Sequence, residues 1–114
     1  MHELPITQSI IRICCQEAEK RNIDKVKAIK LSVGEMAPVI PESIQYYYDI
    51  MTKGTRIEGA KLVITIIPII IKCLDCNNEF NLNFSQYKCN VCSSKNILVT
   101  SGTELIIDDL ELYM

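Results

Sequence analysis

The chain has 114 residues, and 48% of them are hydrophobic, which is enough for one modest core and a small appendage. Twelve basic and fourteen acidic residues give a net charge of -2, so neither composition nor charge patterning predicts a phosphate-binding surface. The most apolar run, residues 62–71, is much shorter than the roughly 20 residues of a membrane-spanning helix. With no leader-like segment at the N-terminus, we expect a soluble, cytoplasmic protein in which six cysteines favour metal or redox chemistry over disulfides.

The first half of the chain predicts two helices separated by a strand. Apolar residues at helical intervals after Pro5 predict a helix over about residues 5–21, with a stripe of Ile6, Ile10, Ile13, Cys14 and Ala18. Alternation over residues 27–33 predicts a half-buried strand with Ile29, Leu31 and Val33 on its buried face and Lys30 and Ser32 on the other. A second helix is predicted over about residues 41–53, beginning at Pro41 and capped by Gly54.

The second half predicts strands on either side of a segment with a different composition. Residues 61–72 are rich in Ile and Val and predict a long strand, which Pro68 should bend out of its first sheet. Residues 73–94 contain four cysteines and too little apolar content for a core of their own. Residues 97–100 and 103–112 again predict strands, and the second would return the chain to the first core.

The four cysteines of that segment form the pattern Cys-x-x-Cys, twelve residues, Cys-x-x-Cys, at Cys73, Cys76, Cys89 and Cys92. Each short turn can direct two sulfurs at one point, and four thiolates suit a closed tetrahedral zinc site that serves structure, not hydrolysis. The zinc would replace the missing core, since metal binding supplies on the order of 10 kcal/mol. A redox dithiol, an iron-sulfur cluster and unrelated surface cysteines are the alternatives.

The only histidine, His2, is the second residue of the chain. A terminal amine, the His2 amide and imidazole, and the Glu3 amide would form adjoining chelate rings that favour square-planar Ni(II) or Cu(II). An ordinary surface histidine is the alternative.

Several short motifs resemble those of the HypA/HybF family across essentially the whole chain. They are Met-His-Glu-Leu at the start, Val33-Gly34-Glu35, Thr52-Lys53-Gly54-Thr55, Glu58-Gly59-Ala60-Lys61-Leu62 and the cysteine quartet. The resemblance implies an α+β fold in which a small mixed sheet with two helices forms a nickel-binding domain, residues 1–71 completed by 101–114. A zinc-ribbon-like domain with four cysteine ligands, residues 72–100, is inserted into it. His2 would be the side-chain ligand of nickel, and Glu3 would contribute through its backbone.

The resemblance also implies that the protein is a metallochaperone that delivers Ni(II) to the large-subunit precursor of nickel-iron hydrogenase, with urease as a second recipient. Its partners would be that precursor and a HypB-type GTPase, and a homodimer stays open. We expect no enzymatic activity and no catalytic residues, because the sequence has no second histidine, no phosphate-binding loop and no open metal position. The alternative function is a zinc-ribbon module for nucleic-acid or protein binding; Glu35 is interpreted as a solvated carboxylate.

Overall fold

The computed structural model describes residues 3–81 and 87–113. The elements are, in chain order, α1 (Glu3–Lys20), β1 (Val26–Gly34), α2 (Pro41–Met51), β2 (Lys61–Ile67), β3 (Ile70–Cys73), β4 (Glu79–Asn81), β5 (Ile97–Ser101) and β6 (Leu105–Leu112). They form two three-stranded sheets, ordered β2-β1-β6 and β4-β3-β5. The fold is therefore α+β with two helices, as the sequence predicts. Neither helix of the described part has the length and hydropathy needed to cross a membrane.

The chain divides into two compact units. The first comprises Met1–Ser32, Pro38–Thr65 and Ile106–Met114, and the second comprises Val33–Ala37 and Ile66–Leu105. Three of the four boundaries fall within β1, β2 and β6, so each of these strands has residues in both units, and the fourth lies between β1 and α2.

The core of the first unit lies between its helices and β1. Its buried side chains come from α1 (Ile10, Ile11, Cys14, Ala18), α2 (Ile44, Tyr48) and β1 (Val26, Ala28, Ile29, Leu31). The Tyr48 hydroxyl, inside this core, donates to the Ala60 carbonyl at 2.8 Å, which satisfies its polar atom without water.

Three local predictions for this unit are wrong. Ile13 is 46% exposed, and Ile11 is buried in its place. Both residues lie beside the buried stripe of Ile10, Cys14 and Ala18, one on each side of it, so the helical pattern fits either of them. Ser32 is buried because its hydroxyl donates to Asp108 of β6, so β1 is more than half-buried. The second helix ends at Met51 with Thr52 as its cap, and Gly54 lies in the turns that follow.

The second unit is built around β3. This strand pairs antiparallel with β4, with Ile71 opposite Phe80, and antiparallel with β5, with Cys73 opposite Ile97. β2 ends at Ile67 and β3 begins at Ile70 in the other sheet, which confirms the predicted departure at Pro68. Within the described part of residues 72–100, the only buried side chains are those of Cys73 and Cys89. This agrees with the expectation that apolar burial does not hold the segment together.

Candidate metal centre

The two Cys-x-x-Cys turns, 73–76 and 89–92, have the same backbone hydrogen bonding, and we call them the first and second knuckle. In the first knuckle the Cys73 N–H donates to the Asn78 carbonyl (2.8 Å), and the Asn77 N–H donates to the Cys73 carbonyl (2.9 Å). The second repeats both bonds, from Cys89 to Ser94 (2.8 Å) and from Ser93 to Cys89 (3.0 Å). The two knuckles are therefore structural equivalents.

Each knuckle is followed by a residue in the left-handed backbone region. Asn77 and Ser93 occupy equivalent positions, and both have φ of 63°. Asparagine tolerates this conformation better than most residues, whereas serine gains no comparable relief. The repeated conformation reverses the chain directly after the second cysteine of each knuckle.

This geometry brings all four predicted zinc ligands together. Their sulfur atoms lie within 4.8 Å of one another, with Cys73 to Cys92 and Cys76 to Cys89 each at 3.6 Å. Four sulfurs bound at about 2.3 Å to one tetrahedral zinc ion would be about 3.8 Å apart. All four cysteines are free thiols, and the donor set and its spacing therefore fit a single zinc ion.

Backbone N–H groups favour the thiolate form of Cys89. The Cys92 and Val91 N–H groups donate to its Sγ, at 3.4 and 3.3 Å. These bonds, with that from Cys92 the stronger influence, lower the pKa of Cys89 to about 6. The thiolate is the form that binds a metal ion, so the second knuckle is prepared for ligation.

The two exposed sulfurs of the cluster, those of Cys76 and Cys92, are harder to deprotonate. Ser94 donates its backbone N–H to Cys92 and lowers the pKa of that thiol, but the nearby Cys73 thiol and burial outweigh it, so the pKa of Cys92 is raised. The pKa of Cys76 is also raised, despite a backbone hydrogen bond from Asn78. Four thiolates this close repel one another, and a divalent cation at their centre would remove that penalty.

Side chains outside the cysteine pattern join the two knuckles. Asp75 accepts hydrogen bonds from the Ser94 hydroxyl and from the Asn96 amide, the latter at 3.3 Å. These bonds lower the pKa of Asp75. The Asn78 amide donates to the Asn90 side-chain oxygen at 2.7 Å. Sequence reasoning missed these residues; the only available signal was the richness of the segment in Asn, Asp and Ser.

Of the two predicted nickel ligands, the described part of the chain includes only Glu3. His2 lies outside the described residues. Glu3 is the first residue of α1, and its carbonyl accepts a hydrogen bond from the Thr7 hydroxyl at 2.7 Å. Because Glu3 lies in the first turn of the helix, its N–H has no acceptor within the helix.

The remaining two cysteines, Cys14 and Cys15, belong to α1 and take no part in the cluster. Burial, and then the neighbouring Cys15, raise the pKa of Cys14 to about 11. Cys14 is therefore a neutral packing residue at physiological pH.

The fold and this cluster define a small α+β protein with a zinc-ribbon-like unit, and comparison with known proteins gives the family. Residues 1–112 match the family described as "Hydrogenase/urease nickel incorporation, metallochaperone, hypA". The chain is similar to the hydrogenase maturation factor HypA of Caldanaerobacter subterraneus subsp. tengcongensis, with 37% identity over 98% of this chain and 99% of that one. It is 38% identical to HypA of Trichodesmium erythraeum, over 98% of this chain and 96% of that one.

Solved structures agree with this assignment. The solution structure of a HypA protein has a TM-score of 0.75 and 25% identity, covering 99% of this chain and 97% of that one. The solution structure of the nickel metallochaperone HypA from Helicobacter pylori has a TM-score of 0.68 and 25% identity, covering 98% and 97%. The chain belongs to the HypA/HybF family of nickel-incorporation metallochaperones, which act in hydrogenase maturation.

Proposed function

We propose that this protein binds Ni(II) through His2 and the backbone of Glu3 and delivers it during the maturation of nickel-iron hydrogenase. Family membership supports the cargo and the process. The observation that carries the site is that Glu3 is the first described residue of α1, so its N–H belongs to the first turn and has no acceptor within the helix. His2, which precedes it in the sequence, supplies the single imidazole of the chain. A main-chain nitrogen beside an imidazole is a donor set suited to square-planar nickel.

We propose further that Cys73, Cys76, Cys89 and Cys92 hold one structural zinc ion. Their inter-sulfur distances and the N–H groups directed at Cys89 support this role. Because the described part of residues 72–100 buries only two cysteine side chains, the metal would supply the free energy that holds this segment folded. Residues 72–100 would then be the zinc-binding domain, and residues 1–71 with 101–114 the nickel-binding domain.

The recipient in this proposal is the large-subunit precursor of nickel-iron hydrogenase, and a HypB-type GTPase assists the transfer in the cytoplasm. Urease is a second candidate recipient, because the matched family is described for both enzymes. Transfer assays with each apo-enzyme would distinguish the two recipients.

Metal analysis and calorimetry test the proposal. Purified protein should contain one zinc ion and bind added Ni(II), whereas His2→Ala should lose most nickel binding and keep its zinc. Gln8→Ala, which changes an exposed residue of α1, is the matched control and should bind nickel normally. A tag fused before Met1 tests whether the terminal amine is a further ligand, because the fusion converts that amine into an amide that must lose its proton before it can bind nickel. Equal nickel affinity in the wild type and His2→Ala would contradict the proposed site.

A further inference from the structure

We propose that the four-cysteine cluster is a site of oxidation by peroxide, and that it closes into two disulfides between the knuckles, Cys73–Cys92 and Cys76–Cys89. The proposal rests on the proposed zinc site for its metal-release readout, but its disulfide pairing comes from the arrangement of the sulfurs. Cys14 and Cys15 play no part in it.

Exposure differs within each of these two pairs. Cys76 and Cys92 are exposed, whereas Cys73 and Cys89 are buried. Each exposed sulfur lies 3.6 Å from a buried sulfur of the other knuckle. An exposed cysteine sulfur next to a second cysteine that can resolve its sulfenic acid is the arrangement that reversible thiol oxidation requires.

The chemistry balances with hydrogen peroxide as the oxidant. The sulfur of Cys76 or Cys92 loses its proton to water, on zinc binding or in free solution, and attacks one peroxide oxygen; an S–O bond forms, the O–O bond breaks, and the departing hydroxide becomes water on protonation. The buried partner thiolate then attacks the sulfenic sulfur, so that an S–S bond forms and a second hydroxide leaves. Each pair loses two electrons to one peroxide molecule. Two peroxide molecules therefore convert four thiolates into two disulfides, and the cluster can no longer retain zinc.

Bonds between the knuckles favour pairing across the cluster. Asp75 of the first knuckle accepts hydrogen bonds from Ser94 and Asn96, and Asn78 donates to Asn90. None of these bonds involves a sulfur, so they can hold the knuckles together while the thiolates are consumed. Within the second knuckle, the Cys89 sulfur is engaged by the N–H groups of its own turn. The two crosslinks would keep the unit compact without metal, because they restrict its unfolded chain.

Trypsin separates the knuckles and gives a direct test. Cleavage after Lys72, Lys88 and Lys95 yields peptides 73–88 and 89–95, each containing one whole knuckle. After the zinc-loaded wild type is treated with two equivalents of peroxide, mass spectrometry should find these peptides linked to each other. A break between Asn90 and Val91 together with a second break between Leu74 and Asp75 separates the linked peptides into two bridged halves, whose masses should assign the bridges to Cys73–Cys92 and Cys76–Cys89. A chromogenic chelator should record zinc release in step with bridge formation.

Variants make the test specific. Asp75→Ala removes the hydrogen bonds that Asp75 accepts between the knuckles and changes no sulfur. This variant should form the assigned bridges more slowly, or form them together with other disulfide pairings. Glu79→Ala, at an exposed position of β4, is the control and should behave as wild type. Cys15→Ser removes a partly exposed thiol of α1 and should leave the bridges unchanged.

Several results would overturn the inference: separate peptides that have each lost two hydrogens, bridges from Cys73 to Cys89 and from Cys76 to Cys92, or sulfinic acids without any bridge. Failure of the zinc proposal is recognised independently, by metal analysis before peroxide is added. If no zinc is found there, the reduced metal-free protein still gives the same disulfide map, and that map decides the inference.

Discussion

Gly34 at the end of β1 lies against the backbone of Gly102. A Cβ atom added to Gly34 would be 2.1 Å from the Gly102 carbonyl oxygen, far inside van der Waals contact. The Gly34 N–H donates to the Glu104 carbonyl at 2.6 Å, and the Met36 N–H donates to the Gly102 carbonyl at 2.7 Å. These backbone hydrogen bonds hold the two glycines close together, so neither segment can move apart to make room for a side chain without breaking them.

Gly34→Ala should therefore destabilise the protein by about 3 kcal/mol, through a backbone clash and not through conformational strain. Gly54→Ala is the matched control: a Cβ there meets nothing within 4 Å, but its φ of +79° should cost about 1 kcal/mol. Urea denaturation of both variants measures the difference. Equal losses of stability would mean that the Gly34–Gly102 contact relaxes easily.

The sequence predicted features that depend on neighbouring residues and missed those that depend on distant ones. The Cys-x-x-Cys spacing and Pro68 act within a few residues, so the cysteine cluster and the break between β2 and β3 could be foreseen. The burial of Ser32 depends on Asp108, 76 residues away, and no local pattern shows that acceptor. The burial of Ile11 and the exposure of Ile13 likewise depend on the elements that pack against α1.

Glu35, interpreted from the sequence as a solvated carboxylate, has a structural contact. Although the residue is exposed, its Oε1 accepts the Ile69 N–H at 3.1 Å, and its own N–H donates to the Ile67 carbonyl at 2.8 Å. Glu35→Ala should cost about 1 kcal/mol and speed hydrogen exchange at the Ile69 amide, because that donor loses its side-chain acceptor. Glu35→Gln keeps an oxygen acceptor and should cost less. Unchanged exchange at Ile69 in the alanine variant would show that the bond contributes nothing in solution.

Ionisation of the buried Cys14 thiol should lower the free energy of unfolding at alkaline pH. Its pKa of about 11, raised mainly by burial and then by Cys15, exceeds the value of about 9 expected in the unfolded chain. The folded state therefore holds this proton more tightly, so the stabilisation is present below about pH 9 and is lost as the pH rises towards about 11. The loss is about 2 kcal/mol.

Cys14→Ala should flatten that part of the stability curve, although the smaller side chain lowers stability at all pH values. Burial also raises the pKa of Tyr48, so some alkaline loss should remain in the variant. The measurement is the free energy of unfolding from denaturant titrations at pH values from about 8 to about 11, which span the folded and unfolded pKa of the thiol. Parallel curves for the wild type and the variant would refute the assignment to Cys14.

Replacing one zinc ligand tests whether metal holds the second unit together. Cys73→Ser, Cys76→Ser, Cys89→Ser and Cys92→Ser should each release zinc, because a site with three thiolates binds the ion less tightly. Residues 72–100 should then lose protection from hydrogen exchange, since their described part buries no apolar side chain apart from two cysteines. Cys15→Ser is the control for the loss of a thiol outside the cluster.

The first unit should survive these substitutions, because its core is independent of the cysteine cluster. Ile29, Leu31, Ile44 and Tyr48 are almost fully buried there, and burial of each such side chain contributes about 1.5–3 kcal/mol. Circular dichroism should thus retain the helical signal of α1 and α2 while metal analysis finds no zinc. If all four variants kept one zinc ion per chain, the sulfurs could not be its shared ligands. If they lost the helices together with the zinc, the metal would be required by the whole chain and not by the second unit alone.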